Sequence, residues 1–221
     1  MRVLAISADP DDETLGCGGT LLKHRQLGDE TYWLNPSEPT ETVGYTKEFI
    51  NKRQSQVEQV CRAYGFQKMY HCQFPTTRLH TVEFTDLLSG ISSVVNEVRP
   101  DLVYMMNRSD VHSDHQIASR AIMSSTKSFR CPFIKRILMY KFVSETEMAP
   151  PLPENVFLPN VYSDISNFLN GKLDIMRLYD SELQEPPMPR SIDNITALAR
   201  FRGASVGVDH AEAFMLIRYL F

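Results

Sequence analysis

The chain has 221 residues, 43% of them hydrophobic and 23% charged, which is enough apolar material to bury a sizeable core. Its net charge of −4 comes with no basic block, which argues against nucleic acid or an anionic membrane surface as the partner. No apolar run reaches the length of a membrane span, no signal-peptide core follows Met1, and the four cysteines (Cys17, Cys61, Cys72, Cys131) form no CxxC pair. The expectation is one cytoplasmic domain over residues 1–221 with reduced thiols.

In chain order, Val3–Ser7 reads as a buried strand, and residues 14–27 as a helix stopped by Gly28. Glu30–Leu34 is the next strand, followed by the loop "NPSEPTETVG" and a helix over 46–64 closed by Gly65. Lys68–Cys72 is a third strand, Phe84–Val98 a helix that ends before Pro100, and Asp101–Met106 a further apolar strand. A helix over 114–127 and a strand near 136–142 complete the series. The remainder holds a Pro-rich loop, helices at 166–179 and near 191–201, and an apolar run over 213–220. Alternation of this kind implies an α/β fold with a mostly parallel sheet covered by helices.

In such sheets ligands gather beyond the carboxyl ends of the strands. Two polar loops arrive there with metal-binding side chains: "ADPDDE" after the first strand, and "NRSDVHSDH" after "DLVYMM". If those strands are neighbours, Asp9, Asp11 and Asp12 face His112, Asp114 and His115 across one crevice, which suits a bound divalent cation. Each loop alone has a plain reading, because acids at a helix start serve as caps and polar loops commonly hold histidine. Their matched positions in the topology favour the metal.

The pairing of "SADPDDETLGCGGTLLKH" with "DVHSDHQIASRA" resembles the PIG-L/LmbE family of metal-dependent N-deacetylases. The stretches "YDSELQEPPMPRS", "ALARFRGASVG" and "AEAFMLIR" extend the likeness to residue 218. The resemblance implies a Rossmann-like three-layer fold and hydrolysis of an N-acetyl group on an amino sugar or its conjugate. By position it implies Asp9, Asp12 and His115 as metal ligands, with Zn²⁺ as the cofactor and Mn²⁺, Fe²⁺ or Mg²⁺ as substitutes. It makes Asp11 the general base towards water, His112 the donor to the developing oxyanion, and Asp114 the group that orients a neighbouring histidine. Arg53 matches an arginine near the substrate, and relatives often form homo-oligomers.

The family's first metal ligand is histidine, and here the position is Asp9. A carboxylate oxygen falls roughly 2 Å short of a histidine's farther nitrogen and adds a negative charge, which weakens the ion's Lewis acidity. Without an ion, Asp9, Asp11 and Asp12 repel, so one of them binds a proton above its normal pKa. Slower chemistry or altered metal preference follows. The alternatives are a non-catalytic descendant that binds a sugar, or an amidohydrolase for another small amide. Glu13 reads as a first-turn charge rather than a backbone anchor, and Glu212 as a strand residue able to hold a loop. Gly16, Gly18 and Gly19 read as close packing of helix on sheet. His24, His71, His80 and His210 lack acidic partners at useful spacing.

Overall fold

The computed structural model describes residues 1–221. Seven strands form one sheet in the order β3-β2-β1-β4-β5-β7-β6. They are β1 (Arg2–Ile6), β2 (Glu30–Glu38), β3 (Lys68–Pro75), β4 (Leu102–Met106), β5 (Arg136–Tyr140), β6 (Val161–Asp164) and β7 (Ala211–Tyr219). Pairing is parallel from β3 through β5, and β7 runs antiparallel between β5 and β6. The mostly parallel α/β sheet expected from the alternation is present. Val3 to Ile6 and the whole of β4 are buried, as strands covered on both faces require.

The helices are α1 (Asp12–Gln26), α2 (Lys47–Tyr64), α3 (Phe84–Val98), α4 (Ser113–Ser125), α5 (Leu169–Met176) and α6 (Ile192–Ala204). Packing of α1 on α2 and α5, and of α3 on α4, gives the two helical layers, with α6 against β7. The order in which strands are added reverses at β1. From it the order runs through β2 and β3 on one side and through β4 and β5 on the other. The crevice beyond β1 and β4 is therefore the topological switch point.

Several boundaries differ from the sequence reading. β2 runs on to Glu38 because, past Leu34, it pairs with β3 alone, across a register shift between Asn35 and Ser37. Pro36 is tolerated there because β1 no longer needs its missing N–H. β6 was not expected at all, and the helix foreseen over 166–179 is confined to Leu169–Met176. The C-cap of α3 is Arg99 in a left-handed conformation (φ 48°), where sequence rules would look for glycine.

The glycine run of α1 is a packing device, as read. A Cβ on Gly16 would lie 2.2 Å from the Tyr140 ring, and one on Gly19 would lie 2.9 Å from Ile165. Cys17 leaves helical geometry (φ −143°, ψ 19°), so α1 is kinked inside the protein. The amides freed there are taken by Glu212. Its Oε1 accepts from Gly19 N at 2.9 Å, and its Oε2 accepts from Thr20 N at 2.8 Å. Lys172 donates to Glu212 and to the Leu15 carbonyl, which closes the break from the other side.

Candidate active site

A cleft of about 170 Å³ opens at the switch point, lined by Asp9, Pro10, Asp11, Asp12, Pro39, Tyr45, Phe49, Arg53, Thr76, Thr77, His112, His115, Glu182 and Arg190. It takes in six of the seven residues singled out from the sequence; Asp114 stands behind it. Asp9 comes from the β1–α1 loop, while His112 caps α4 and His115 lies in its first turn.

One ligand atom from each of Asp9, His112 and His115 lies within 4.8 Å of the others. Asp9 is half-buried, and its Oδ1 accepts from the Ser37 hydroxyl at 2.9 Å and from the Thr76 hydroxyl. Asp12 is buried beside them. Its Oδ2 accepts from the amides of Ala8 (3.0 Å) and Asp9 (2.9 Å) and lies 3.4 Å from His115 Nε2. Neither Asp11 nor Asp12 caps α1 with its side chain, so the plain capping reading of "ADPDDE" does not describe this loop.

The two histidines are held in different ways. His115 Nδ1 meets Asp110 Oδ2 at 2.9 Å, so this nitrogen carries the proton and Nε2 presents a lone pair toward Asp12. His112 Nδ1 accepts from the Asp114 amide at 3.1 Å, so a neutral ring carries its proton on Nε2 and presents a donor. Asp110, five residues before His115, is thus the carboxylate that orients a histidine ring. Asp114 Oδ1 instead accepts from Leu79 N at 3.1 Å, and its buried Oδ2 has no partner. This corrects the expected part of Asp114. The signal for Asp110 lay in the same segment, "NRSDVHSDH", where a nearer acid drew the assignment.

The donor set fits a cation. His115 Nε2 and Asp12 Oδ2 are both acceptors when the ring is neutral, and two facing acceptors need a positive charge between or beside them. In the ion-free protein a proton supplies it. Burial alone would lower the His115 pKa, but Asp12, Asp110 and Asp9 lift it to about 9. The carboxyls show the same unmet need. Burial raises Asp12 to about 6 against the pull of His115, and raises Asp11 well above the carboxylate range against the pull of Arg190.

Asp11 sits at φ 122°, a backbone conformation that L residues rarely adopt. Its amide donates to Glu13 Oε2 at 3.1 Å, and its carboxylate takes Arg190 Nη1 at 3.0 Å. Glu13 is therefore a backbone anchor and not a surface first-turn charge. It is fully buried, also accepts from Thr14 and Tyr179, and is raised by burial to about 7. Arg53 is buried and donates to the Pro10 carbonyl at 2.9 Å, to Ser181 and to Glu182. Arg190 and Glu182 belong to the segment 177–191 and were not singled out from the sequence. Arg190 is 179 positions from Asp11, a distance over which no local pattern operates.

Residues 4–126 match the family model described as PIG-L, GlcNAc-PI de-N-acetylase. The chain is 26% identical over 186 residues to the uncharacterized deacetylase YaiS of Escherichia coli strain K12, covering 81% of this chain and 90% of that protein. The conserved protein TT1542 from Thermus thermophilus superposes with a TM-score of 0.78 at 25% identity, over 99% of this chain and 96% of that one. The N,N'-diacetylchitobiose deacetylase from Pyrococcus horikoshii, complexed with its inhibitor MPG, gives a TM-score of 0.78 at 20% identity, over 98% and 84% of the two chains. That last likeness is one of fold.

Proposed function

We propose that this chain, which belongs to the PIG-L family, is a metal-dependent hydrolase that removes an N-acetyl group from an amino sugar or its conjugate. The observation that carries the reading is the meeting of two acids and an imidazole at the β1/β4 switch point. His115 Nε2 lies 3.4 Å from Asp12 Oδ2, and a His115 ring nitrogen has an Asp9 carboxylate oxygen within 4.8 Å, with Asp11 and His112 lining the same cleft. Asp9, Asp12 and His115 would hold the cation, zinc in first place, with Mn²⁺, Fe²⁺ or Mg²⁺ compatible with the oxygen-rich set. When bound, the cation polarises the acetyl carbonyl and makes water more acidic.

The chain's own groups supply the rest. His112 offers its Nε2–H to the carbonyl oxygen as charge grows there, an interaction stronger in the transition state than in the bound substrate. Asp11 accepts a proton from the attacking water and returns it to the amine nitrogen as the C–N bond breaks, giving acetate and a free amine. Its strained backbone, Glu13 below it and Arg190 beside it fix where that carboxylate stands. Asp110 keeps the proton of His115 on Nδ1, away from the cleft.

The family relatives named as deacetylases support the reaction class, and the diacetylchitobiose deacetylase supports an N-acetylated sugar as substrate. The cytoplasm suits the four free cysteines. No helix is long and apolar enough to cross a membrane. The test is acetate release from N-acetylglucosamine, N,N'-diacetylchitobiose and their conjugates, after stripping the protein with chelator and restoring Zn²⁺ or Mn²⁺. Turnover that vanishes on stripping and returns with metal upholds the proposal. A protein that takes up neither ion overturns it.

A further inference from the structure

Two guanidiniums border the cleft, and a single carboxylate occupies both. Glu182 Oε1 accepts from Arg53, and its Oε2 accepts from Arg190 at 2.9 Å. Arg53 is committed further to the Pro10 carbonyl at 2.9 Å and the Ser181 hydroxyl at 3.1 Å. Arg190 is committed to Asp11 at 3.0 Å and Glu145 at 3.3 Å. The three side chains are only 8%, 20% and 23% exposed for Arg53, Arg190 and Glu182, so their charges act on one another with little screening. Arg53 and Arg190 are the only arginines of the cleft wall, and no lysine lines it. A phosphate or carboxylate on a substrate therefore meets no free fork there.

The same cleft carries an aromatic surface. Tyr45 and Phe49 are half-buried, with rings stacked at 4.9 Å and 23°, and the Arg53 guanidinium lies 5.5 Å from the Phe49 ring. An aromatic ring on a cleft wall suits the apolar face of a pyranose, whose hydroxyls then look for acceptors at the edge.

We propose that Glu182 is a specificity-determining residue. By clamping Arg53 and Arg190, it matches the cleft to an uncharged N-acetylated pyranose and rejects sugars that carry a phosphate or carboxylate beside the acetamide. Sugar hydroxyls donate to the spare lone pairs of Glu182, whereas an anion in the same place faces a like charge. Neutralising Glu182 loosens its hold on both guanidiniums, leaving Arg53 with no carboxylate partner and Arg190 with Asp11 and Glu145 alone, and converts the rejection into attraction. This inference rests on the deacetylase reading for its substrate, and on the Glu182–Arg53–Arg190 contacts for its selectivity.

The test compares the zinc-loaded wild type with Glu182→Gln, an exchange that keeps size and removes charge. Specificity constants are measured for methyl N-acetylglucosaminide, its 6-phosphate and its 3-O-lactyl carboxylate. The wild type is expected to favour the neutral sugar at least tenfold, and E182Q to narrow that ratio at least tenfold. A second measurement follows the arginine Nε–H NMR signals during titration with inorganic phosphate. Two of them should move in E182Q and stay still in the wild type, while phosphate taken up at the metal is common to both proteins. A wild type that prefers the anionic sugars, or a folded E182Q with an unchanged ratio and still arginine signals, overturns the proposal. Should E182Q fail to fold, the wild-type ratio and its phosphate titration decide. Should no sugar be hydrolysed, the deacetylase reading falls, and the phosphate titrations alone judge the clamp.

Discussion

Lys172 Nζ and Glu212 Oε1 lie 2.7 Å apart, with both side chains only 5% exposed, and between them they mend the break in α1. Gly19 N, Thr20 N and the Thr20 hydroxyl all donate to Glu212, and the Leu15 carbonyl accepts from Lys172. Removing Glu212 leaves the buried Lys172 charge unpaired and the amides of Gly19 and Thr20 orphaned together. Glu212→Ala is therefore expected to lower unfolding stability by about 3–5 kcal/mol, the range for breaking a buried pair. Urea denaturation measures it. Glu212→Leu combined with Lys172→Met should recover part of the loss, although the amides of Gly19 and Thr20 stay unsatisfied. Equal losses in the single and double variants would show that the amides, and not the charge pair, dominate.

What was legible in the sequence was what local pattern writes. The buried strands β1 and β4 declared themselves by unbroken apolar runs, and the two acidic and histidine loops by following those runs. β6 was invisible because four residues, "VYSD", carry no period of their own and exist as a strand only against Ala211–Phe214, some fifty positions away. In the site, His112 and His115 were readable, yet their orientation was not. A turn sets whether Asp110 or Asp114 faces the ring, and spacing alone favours neither. Arg190 was out of reach altogether, because only the tertiary fold carries it to Asp11. His24 is a core residue, and only its pairing was hidden, for a related reason. Its acidic partner Asp29 lies five residues on, beyond the end of α1, at 2.7 Å.

Asp110 gives the second prediction. Its Oδ2 takes the His115 proton, while its Oδ1 accepts from Asn107 at 3.2 Å and Thr146 at 2.6 Å, so the carboxylate is itself fixed. Asp110→Asn allows the amide to face Nδ1 and turns the lone pair of His115 away from the cleft. Zinc affinity should fall about 10–100-fold, the usual cost of losing a partner behind a ligating histidine. Competition with a fluorescent chelator reads it. Asp114→Asn, by contrast, should leave affinity within a few-fold, because the Asp114 side chain bonds to the Leu79 amide and to no histidine ring, while its backbone bond to His112 is unaffected by the exchange.

Asp9 gives the third. Two hydroxyls, from Ser37 and Thr76, hold its Oδ1, so the shorter carboxylate is anchored at the place the family gives to an imidazole. Asp9→His removes one negative charge from the set and lengthens the reach. Tighter zinc binding is expected, with turnover higher on the order of tenfold, as a stronger Lewis acid allows. The measurements are zinc content and acetate release side by side. A wild type that already holds stoichiometric zinc, with turnover unmoved by the exchange, would reject the argument.

The last prediction concerns acid stability, away from the cleft. His24 is buried, its Nδ1–H donates to Asp29 Oδ2, and its Nε2 accepts from the Tyr104 hydroxyl at 3.0 Å, so the neutral ring is fully satisfied. Burial lowers its pKa in spite of Asp29, helped by the charges of Arg136 and the Met1 amino group. The unfolded chain then binds the proton first as pH falls below about 6.5. Stability from this residue is complete above that pH and is lost on the way down through the folded pKa. Asp29, whose burial is outweighed by its bonds from Met1 and His24, adds a further loss below 3.8. In the metal-free protein Asp12 and Glu13 tilt the other way, because their folded pKa values of about 6 and 7 favour the fold as pH drops. His24→Gln isolates the histidine from that background. Between pH 6.5 and 5 the variant's stability should fall less than the wild type's, by up to about 1.4 kcal/mol for each unit separating the folded and unfolded pKa of His24. Parallel pH profiles for the two proteins, followed by urea midpoints in zinc-free buffer, would show that His24 titrates alike in both states and carries none of the slope.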